Sequence, residues 1–245
     1  MDFSDIASRL PWTRGVRVLR CDGNGLMAIE KPEGTLSHPN RKGDRSRSLL
    51  NANYEEEAER YEIVDEEGQV ERHVYLLNRL DSATSGIVLL ALDEAVASAV
   101  LLAFERKQVR KTYCALVFGI PRRGSPIWKD RLSVRKAEGG VRASSGSGLQ
   151  AETKLVKAES LPGMPLMSRL TLMPVTGRTH QLRIQSSKRG LPIVGDRTYG
   201  DFKRNKLVAK SKQIKRLCLH CVGTELSYTH AGGLHRFKAS SEAPF

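Results

Sequence analysis

Short apolar runs bounded by Gly, Pro, Ser or Asp recur along most of the chain and predict strands. "GLMAIEKPEGTLSHP" (Gly25 to Pro39) reads as a strand that stops at Lys31-Pro32, with a turn at Glu33-Gly34. "YEIVDEEGQVERHVYLL" has apolar flanks about a Glu-Glu-Gly turn and predicts a hairpin. In "YLLNRLDSATSGIVLLAL" (Tyr75 to Leu92), the runs Tyr75–Leu77 and Ile87–Leu92 read as buried strands. "KTYCALVFG" predicts another strand, "AETKLVKAESL" and "SRLTLMPV" a hairpin around "PGMP", and "RLCLHCVGTELSYTH" with "LHRFKAS" two edge strands. Helical spacing is confined to fewer segments. "DEAVASAVLLAFERKQVRK" predicts a helix capped by Asp93, with Ala95, Ala99, Leu102 and Phe104 near one face. "TGRTHQLRIQSSKRG" predicts a helix with Lys188 and Arg189 in its last turn and Gly190 as its left-handed stop. A short helix is expected over Ser46 to Asn53, and a flexible loop over Ala137 to Gly148. Strands dominate, so the class is α+β, a mixed and mostly antiparallel sheet with flanking helices.

The chain length of 245 residues is ample for a sizeable core. Residues 1–20 read as a lead-in segment, partly ordered by Trp12 and the Val16 to Leu19 stretch, and residues 21–245 as one domain. No apolar run is long enough to cross a bilayer, and the N-terminus lacks the basic start and apolar stretch of a secretory signal. A cytoplasmic monomer is the expectation. Four cysteines show no disulfide-like spacing. "CLHC" (Cys218 to Cys221) offers three donors without a second matching pair, which favours buried thiols over a zinc site.

Charge changes the picture more. Forty Lys and Arg oppose 27 Asp and Glu, a formal charge of +13, which favours a polyanionic partner. The excess is uneven. Tyr54 to Glu71 is acidic, whereas "KRNKLVAKSKQIKR" (Lys203 to Arg216) carries no acid and reads as a solvated helix face or a phosphate-contacting surface.

Asp81 sits between two apolar strands with Arg79, Ser82, Thr84 and Ser85 close in sequence. It could be a turn residue bonding backbone N–H groups, half of a structural ion pair, or a reactive carboxylate kept ionised by a guanidinium. The chain holds no P-loop, no G-x-G-x-x-G helix entry, no H-E-x-x-H and no G-x-S-x-G. Nucleotide-driven, zinc-dependent and serine-hydrolase chemistries therefore have no motif behind them.

"NRLDSATSGIVLLAL" resembles the H-R-L-D-x-x-T-S-G signature of the RluA-type pseudouridine synthases. "LMAIEKPEGTLSHP" is similar to that family's first motif, "KTYCALVFG" to its K-x-Y-x-A-L-V-x-G strand, and "PVTGRTHQLRIQ" and "GLPIVGDRTYG" to its third motif and the segment after it. "RLCLHCVGTELSYTH" resembles its closing strands, and the matches run in family order from about Gly25 onward. The resemblance implies isomerisation of uridine to pseudouridine within ribosomal or transfer RNA, with no cofactor and no metal. It implies the pseudouridine synthase fold, with an active-site cleft across the sheet.

By position, Asp81 is the catalytic aspartate, acting either by covalent addition or through a glycal. Arg79 matches an arginine that helps hold the flipped-out base, whose extrusion costs a few kcal/mol. Tyr113 matches a tyrosine that stacks on the target base and helps remove the C5 proton. Arg183 stands where the family places the arginine that pairs with the catalytic aspartate. Leu182 either lines the pocket or belongs to the generic core, and Lys31, Arg178, Thr179 and His180 are further candidates for phosphate contact or support. Two positions depart from the family: Asn78 replaces the usual His before Arg-Leu-Asp, and "RIQSS" replaces R-[VI]-H. The short lead-in leaves no room for an S4 RNA-binding domain, so recognition is expected from the catalytic domain itself, its basic run and its loops. The alternatives are an RNA-folding or assembly factor of the same fold, and a nucleosidase, which would lack an acidic cluster for ribose hydroxyls.

Overall fold

A computed structural model describes residues 2–122, 124–137, 140–145 and 148–245. In chain order the elements begin with α1 (Phe3–Arg9), β1 (Arg17–Cys21) and β2 (Leu26–Lys31), then a 3-10 helix (Lys42–Arg47). They continue with β3 (Asn53–Glu55), β4 (Arg60–Val64), β5 (Val70–Leu76), β6 (Ser85–Ala91) and α2 (Glu94–Glu105). Next come β7 (Arg110–Phe118), β8 (Ile127–Ala137), β9 (Gly140–Ser145), β10 (Leu149–Leu161) and β11 (Met167–Pro174). The chain closes with α3 (Gln181–Lys188), α4 (Phe202–Ser211), β12 (Leu219–His230) and β13 (Gly233–Ser240). It divides into two compact units, residues 1–109 with 222–242, and residues 110–221 with 243–245. The class is α+β, as the pattern of apolar runs predicts.

In the first unit, β1, β2, β6, β5, β4 and β3 pair antiparallel in that order. Every residue of β6 is buried, as are Leu26, Met27, Ala28 and Ile29 of β2. Such continuous apolar runs, rather than alternating ones, mark strands covered on both faces. The hairpin predicted around Glu-Glu-Gly is β4–β5, closed by Asp65, whose carboxylate accepts from Glu67 N–H and Gln69 N–H. The lead-in segment contains α1 and all but the last residue of β1, and Arg20 donates to the Lys238 carbonyl of β13.

The α2 helix forms where predicted, its Asp93 cap accepting from Val96 N–H at 2.9 Å, a bond worth about 1 kcal/mol. Its inward face differs from the expectation: Val96, Ala97, Val100 and Ala103 are buried, while Ala95 and Leu102 are exposed. The segment is apolar nearly all round, so periodicity alone does not select a stripe. The helix expected over Ser46 to Asn53 is also displaced. A 3-10 helix lies just upstream at Lys42–Arg47, and Asn53 begins β3. Ser48, with its hydroxyl donating to Arg45 O, ends that turn.

In the second unit, β7, β11, β10, β8 and β9 pair antiparallel in that order. The expected loop over Ala137 to Gly148 is instead largely strand. Residues 140–145 form β9, paired with β8, and residues 138–139 and 146–147 lie outside the described ones. Ser and Gly suggest a loop by composition, but residues 140–145 pair along β8 as the edge strand of this unit. The helix α3 lies over this sheet through Ile184, which joins Leu132, Ala151 and Tyr199. Gly190 takes φ +68°, the left-handed stop that the sequence predicts.

Candidate active site

Asp81 lies in the loop between β5 and β6, partly buried, in a turn closed by Thr84 N–H donating to the Asp81 carbonyl at 3.0 Å. The loop is held from below at both sides of Asp81. Ser37 Oγ donates to Leu80 O and accepts from Leu80 N–H, each at 3.0 Å, and Tyr61 Oη donates to Ser37 O at 2.6 Å. On the other side, Lys31 is fully buried. Its Nζ donates to the carbonyls of Ser82 (3.0 Å), Thr35 (2.7 Å) and Pro32 (3.1 Å). Gly34 N–H donates to Ser82 O at 2.8 Å. The Lys-Pro-x-Gly segment and the Asp81 loop are therefore one hydrogen-bonded assembly. Lys31 stands in its interior, with its ammonium turned to backbone carbonyls. A buried ammonium is tolerable only with such a set of acceptors.

Asn78, which replaces the usual His, has its carboxamide oxygen accepting from Leu89 N–H at 2.9 Å, so it ties the loop to β6. Arg79 is exposed, 3.4 Å from the Glu59 carboxylate and 3.4 Å from His38 Nε2. His38 in turn stacks on Tyr54 with centroids 5.0 Å apart.

The remaining predicted residues belong to the second unit. Tyr113 is buried on β7, paired in register with Leu172 of β11. Arg183 is 6% exposed on α3 and makes a bidentate pair with Asp196, Nε to Oδ2 at 2.8 Å and Nη2 to Oδ1 at 2.9 Å. Two parallel bonds fix the guanidinium plane. Asp196 Oδ1 also accepts from Thr198 N–H (2.8 Å) and Tyr199 N–H (3.0 Å). Burial opposes the Asp196 charge, but Arg183 and the two backbone donors outweigh it and hold the carboxyl below the usual carboxylate range. The Tyr199 ring lies 5.1 Å from the Arg183 guanidinium, and the Tyr199 hydroxyl is 3.0 Å from His180 Nδ1. His180 itself is left-handed at φ 55° and precedes α3. Gly195 at φ +78° is required before Asp196, because a Cβ there would run into the Arg216 carbonyl.

Leu182 is buried on α3. Arg178 and Thr179 are exposed, and Arg178 Nε donates to Gln150 O at 3.2 Å. Gln185, the other departure from the family pattern, is fully buried. Its carboxamide accepts from Thr153 Oγ1 (2.7 Å) and donates to Trp128 O (3.0 Å) and Asp130 (2.9 Å). It stitches α3 to β8 and β10, so that position is structural here. Asp196, Tyr199 and Ser37 were not singled out from the sequence, whereas Gln185 was marked by the departure at "RIQSS". Only "GLPIVGDRTYG", already matched as a motif, carried a signal for the first two. Among the described residues no group of three or more His, Cys, Asp or Glu is arranged to hold a metal, and no helix is long and apolar enough to cross a membrane.

The family model for RNA pseudouridylate synthase matches residues 25–188. The chain is 32% identical over 229 residues to tRNA pseudouridine synthase C of Yersinia pestis, covering 90% of this chain and 84% of the relative. It is 27% identical over 240 residues to the dual-specificity RNA pseudouridine synthase RluA of Escherichia coli, covering 95% and 94%. Among solved structures, human RNA pseudouridylate synthase domain containing 4 superposes with a TM-score of 0.65 at 23% identity, over 93% of this chain and 88% of that one, a likeness of fold. With a family match across the Asp81 loop and α3, and relatives matched over nearly their whole length, this chain belongs to the RluA-type RNA pseudouridine synthases.

Proposed function

We propose that this protein converts a specific uridine of a structured RNA, transfer RNA foremost, to pseudouridine, with Asp81 as its catalytic carboxylate and without a cofactor. Transfer RNA leads because the relatives that match at 32% identity and above over most of both chains are named for it. In the reaction the C1′–N1 bond breaks, the uracil turns, a C1′–C5 bond forms and the C5 proton leaves. Asp81 serves either by adding covalently or by taking a sugar proton to give a glycal. Tyr113 and Arg183 take the roles their motif positions imply: a ring against the base that assists C5 deprotonation, and a cation for the catalytic carboxylate. Arg79 and Leu182 hold the extruded uridine, and Arg178, Thr179 and His180 lie beside the third motif as contacts to the RNA. In this reading residues 21–245 form the catalytic domain, and the protein acts as a monomer in the cytoplasm.

The observation that carries the proposal is the double clamp on the Asp81 loop. Ser37 fixes Leu80 and buried Lys31 fixes Ser82. A mere turn aspartate needs no such support, whereas a reacting group held to within a fraction of an ångström does. The test is carbodiimide mapping of pseudouridine in cells lacking the gene, complemented with wild type or Asp81→Asn. A site restored by wild type and absent with Asp81→Asn supports the proposal and names the substrate. RNA retained by both forms with no restored site would point to an assembly factor.

A further inference from the structure

The basic run noted in the sequence becomes α4, and its charge is arranged on one side. The helix is capped by Asp201, whose carboxylate accepts from Arg204 N–H at 2.9 Å. Its inward face is set by buried Val208 and by Asn205. Asn205 accepts from Gly195 N–H at 2.8 Å and donates to the Asp196 carbonyl at 3.0 Å. The helix is thus anchored to the turn that carries Asp196, the partner of Arg183. At 100° per residue the opposite face presents Lys203, Lys206 and Lys210, all exposed, with Phe202 (59% exposed) and Leu207 (51% exposed) at its margins.

Among the described residues none of these three lysines has a carboxylate partner. Asp201, the acid at its N-cap, is committed to the cap and to Arg204 at 3.5 Å, and Asp196 is buried against Arg183. Like charges three and four residues apart repel, and a merely solvated helix face ordinarily interleaves acids to relieve this. Here the repulsion is left standing on a helix that tertiary hydrogen bonds hold in place. The three ammonium groups are spread over about 10 Å of axis, a length that spans successive phosphates of one strand. Exposed aromatic and aliphatic side chains beside them suit an unpaired base or a ribose. An interfacial membrane helix would need a continuous apolar face, but the lysines occupy the middle of this one.

We propose that the Lys203/Lys206/Lys210 face of α4 is a docking surface for the sugar–phosphate backbone of RNA, an inference that rests on the reading of the protein as an RNA-modifying enzyme. Binding of an unmodified tRNA transcript to the full chain, followed by fluorescence anisotropy across a salt series, tests it without reference to catalysis. Against wild type stand the triple alanine variant Lys203→Ala/Lys206→Ala/Lys210→Ala, the triple arginine variant and the single Lys206→Ala. Alanine favours the helix, so far-ultraviolet circular dichroism should be unchanged. The triple alanine variant should bind on the order of tenfold more weakly or worse at low salt, with the slope of log K against log salt reduced by about 2–3. Lys206→Ala should reduce the slope by about 0.7–0.9, and the arginine variant should keep it.

Unchanged affinity and slope in the alanine variants would overturn the docking surface. So would loss of binding to phosphatidylserine-containing vesicles with RNA binding intact, which would reassign the face to a membrane. Should wild type bind RNA with the expected slope yet form no pseudouridine, the enzymatic reading fails and the docking surface stands. Absence of RNA binding by wild type would overturn both.

Discussion

Ser37 is the residue on which the Asp81 loop rests; it lies within the first family motif, but the sequence does not show that its hydroxyl bonds Leu80. It lies far along the chain from Leu80, and its hydroxyl meets that backbone only after β2 and β6 have paired. Lys31 was conspicuous in the Lys-Pro-x-Gly motif, but the sequence could not say whether its ammonium faced RNA or the interior. The structure buries it under three carbonyls. Lys31→Met keeps the apolar stem and removes the donor, leaving the Pro32 and Thr35 carbonyls without it and Ser82 O with Gly34 N–H alone. It should cost about 3 kcal/mol or more and lower Tm by roughly 10 °C, read by calorimetry. A stability equal to wild type would show that the ammonium does not support the loop. Asn78 shows the converse: the residue departs from the family pattern, yet its carboxamide does backbone work on Leu89 that any fixed acceptor could do.

At the scale of elements, β2, β6 and β7 were legible because uninterrupted apolar runs with Gly and Pro at their ends admit few other readings, whereas β9 reads as a loop and β8 carries no such run. The hairpins β4–β5 and β10–β11 form where turn chemistry placed them. The inward stripe of α2 was not legible, since valines and alanines leave several stripes equally apolar and only packing on β6 chooses among them. Nor was the support of α3, whose polar side chains Gln185 and Arg183 are buried and satisfied by distant strands and turns. Asp196 now gives that helix a pH dependence. Its carboxyl is depressed in the folded state, so the unfolded chain binds more protons through the acid range. The stabilisation is complete above the ordinary aspartate pKa of about 3.9 and is lost as pH falls through the lower folded value. Asp196→Asn should lose about 3–5 kcal/mol at neutral pH, because it breaks the buried bidentate ion pair with Arg183. Its stability should also vary less with pH than that of wild type below about 4. Urea unfolding at neutral and acid pH measures both, and parallel stability profiles for the two proteins would contradict the assignment.

For the molecule as a whole, the +13 charge already indicated a polyanion, and the structure shows where one part of that excess is displayed without compensation. The family was legible from motifs whose order follows the chain. The sequence did not reveal that the chain divides into two compact units, with Asp81, Arg79 and Lys31 in one and Tyr113, Arg178, Thr179, His180, Leu182 and Arg183 in the other. Motif order is a property of the chain, and which segments fold together depends on strand pairing over long separations.

Isomerisation must expel the C5 proton of the target uridine whichever intermediate forms, so release of tritium from RNA labelled at uridine C5 reports turnover directly. Purified protein in buffer containing a chelator, with a tRNA transcript carrying the modified site, should release tritium to water in proportion to pseudouridine formed. Asp81→Asn, folded and binding the same RNA, should release it at least about 10³-fold more slowly. Tritium release by Asp81→Asn at a rate near that of wild type would contradict the account.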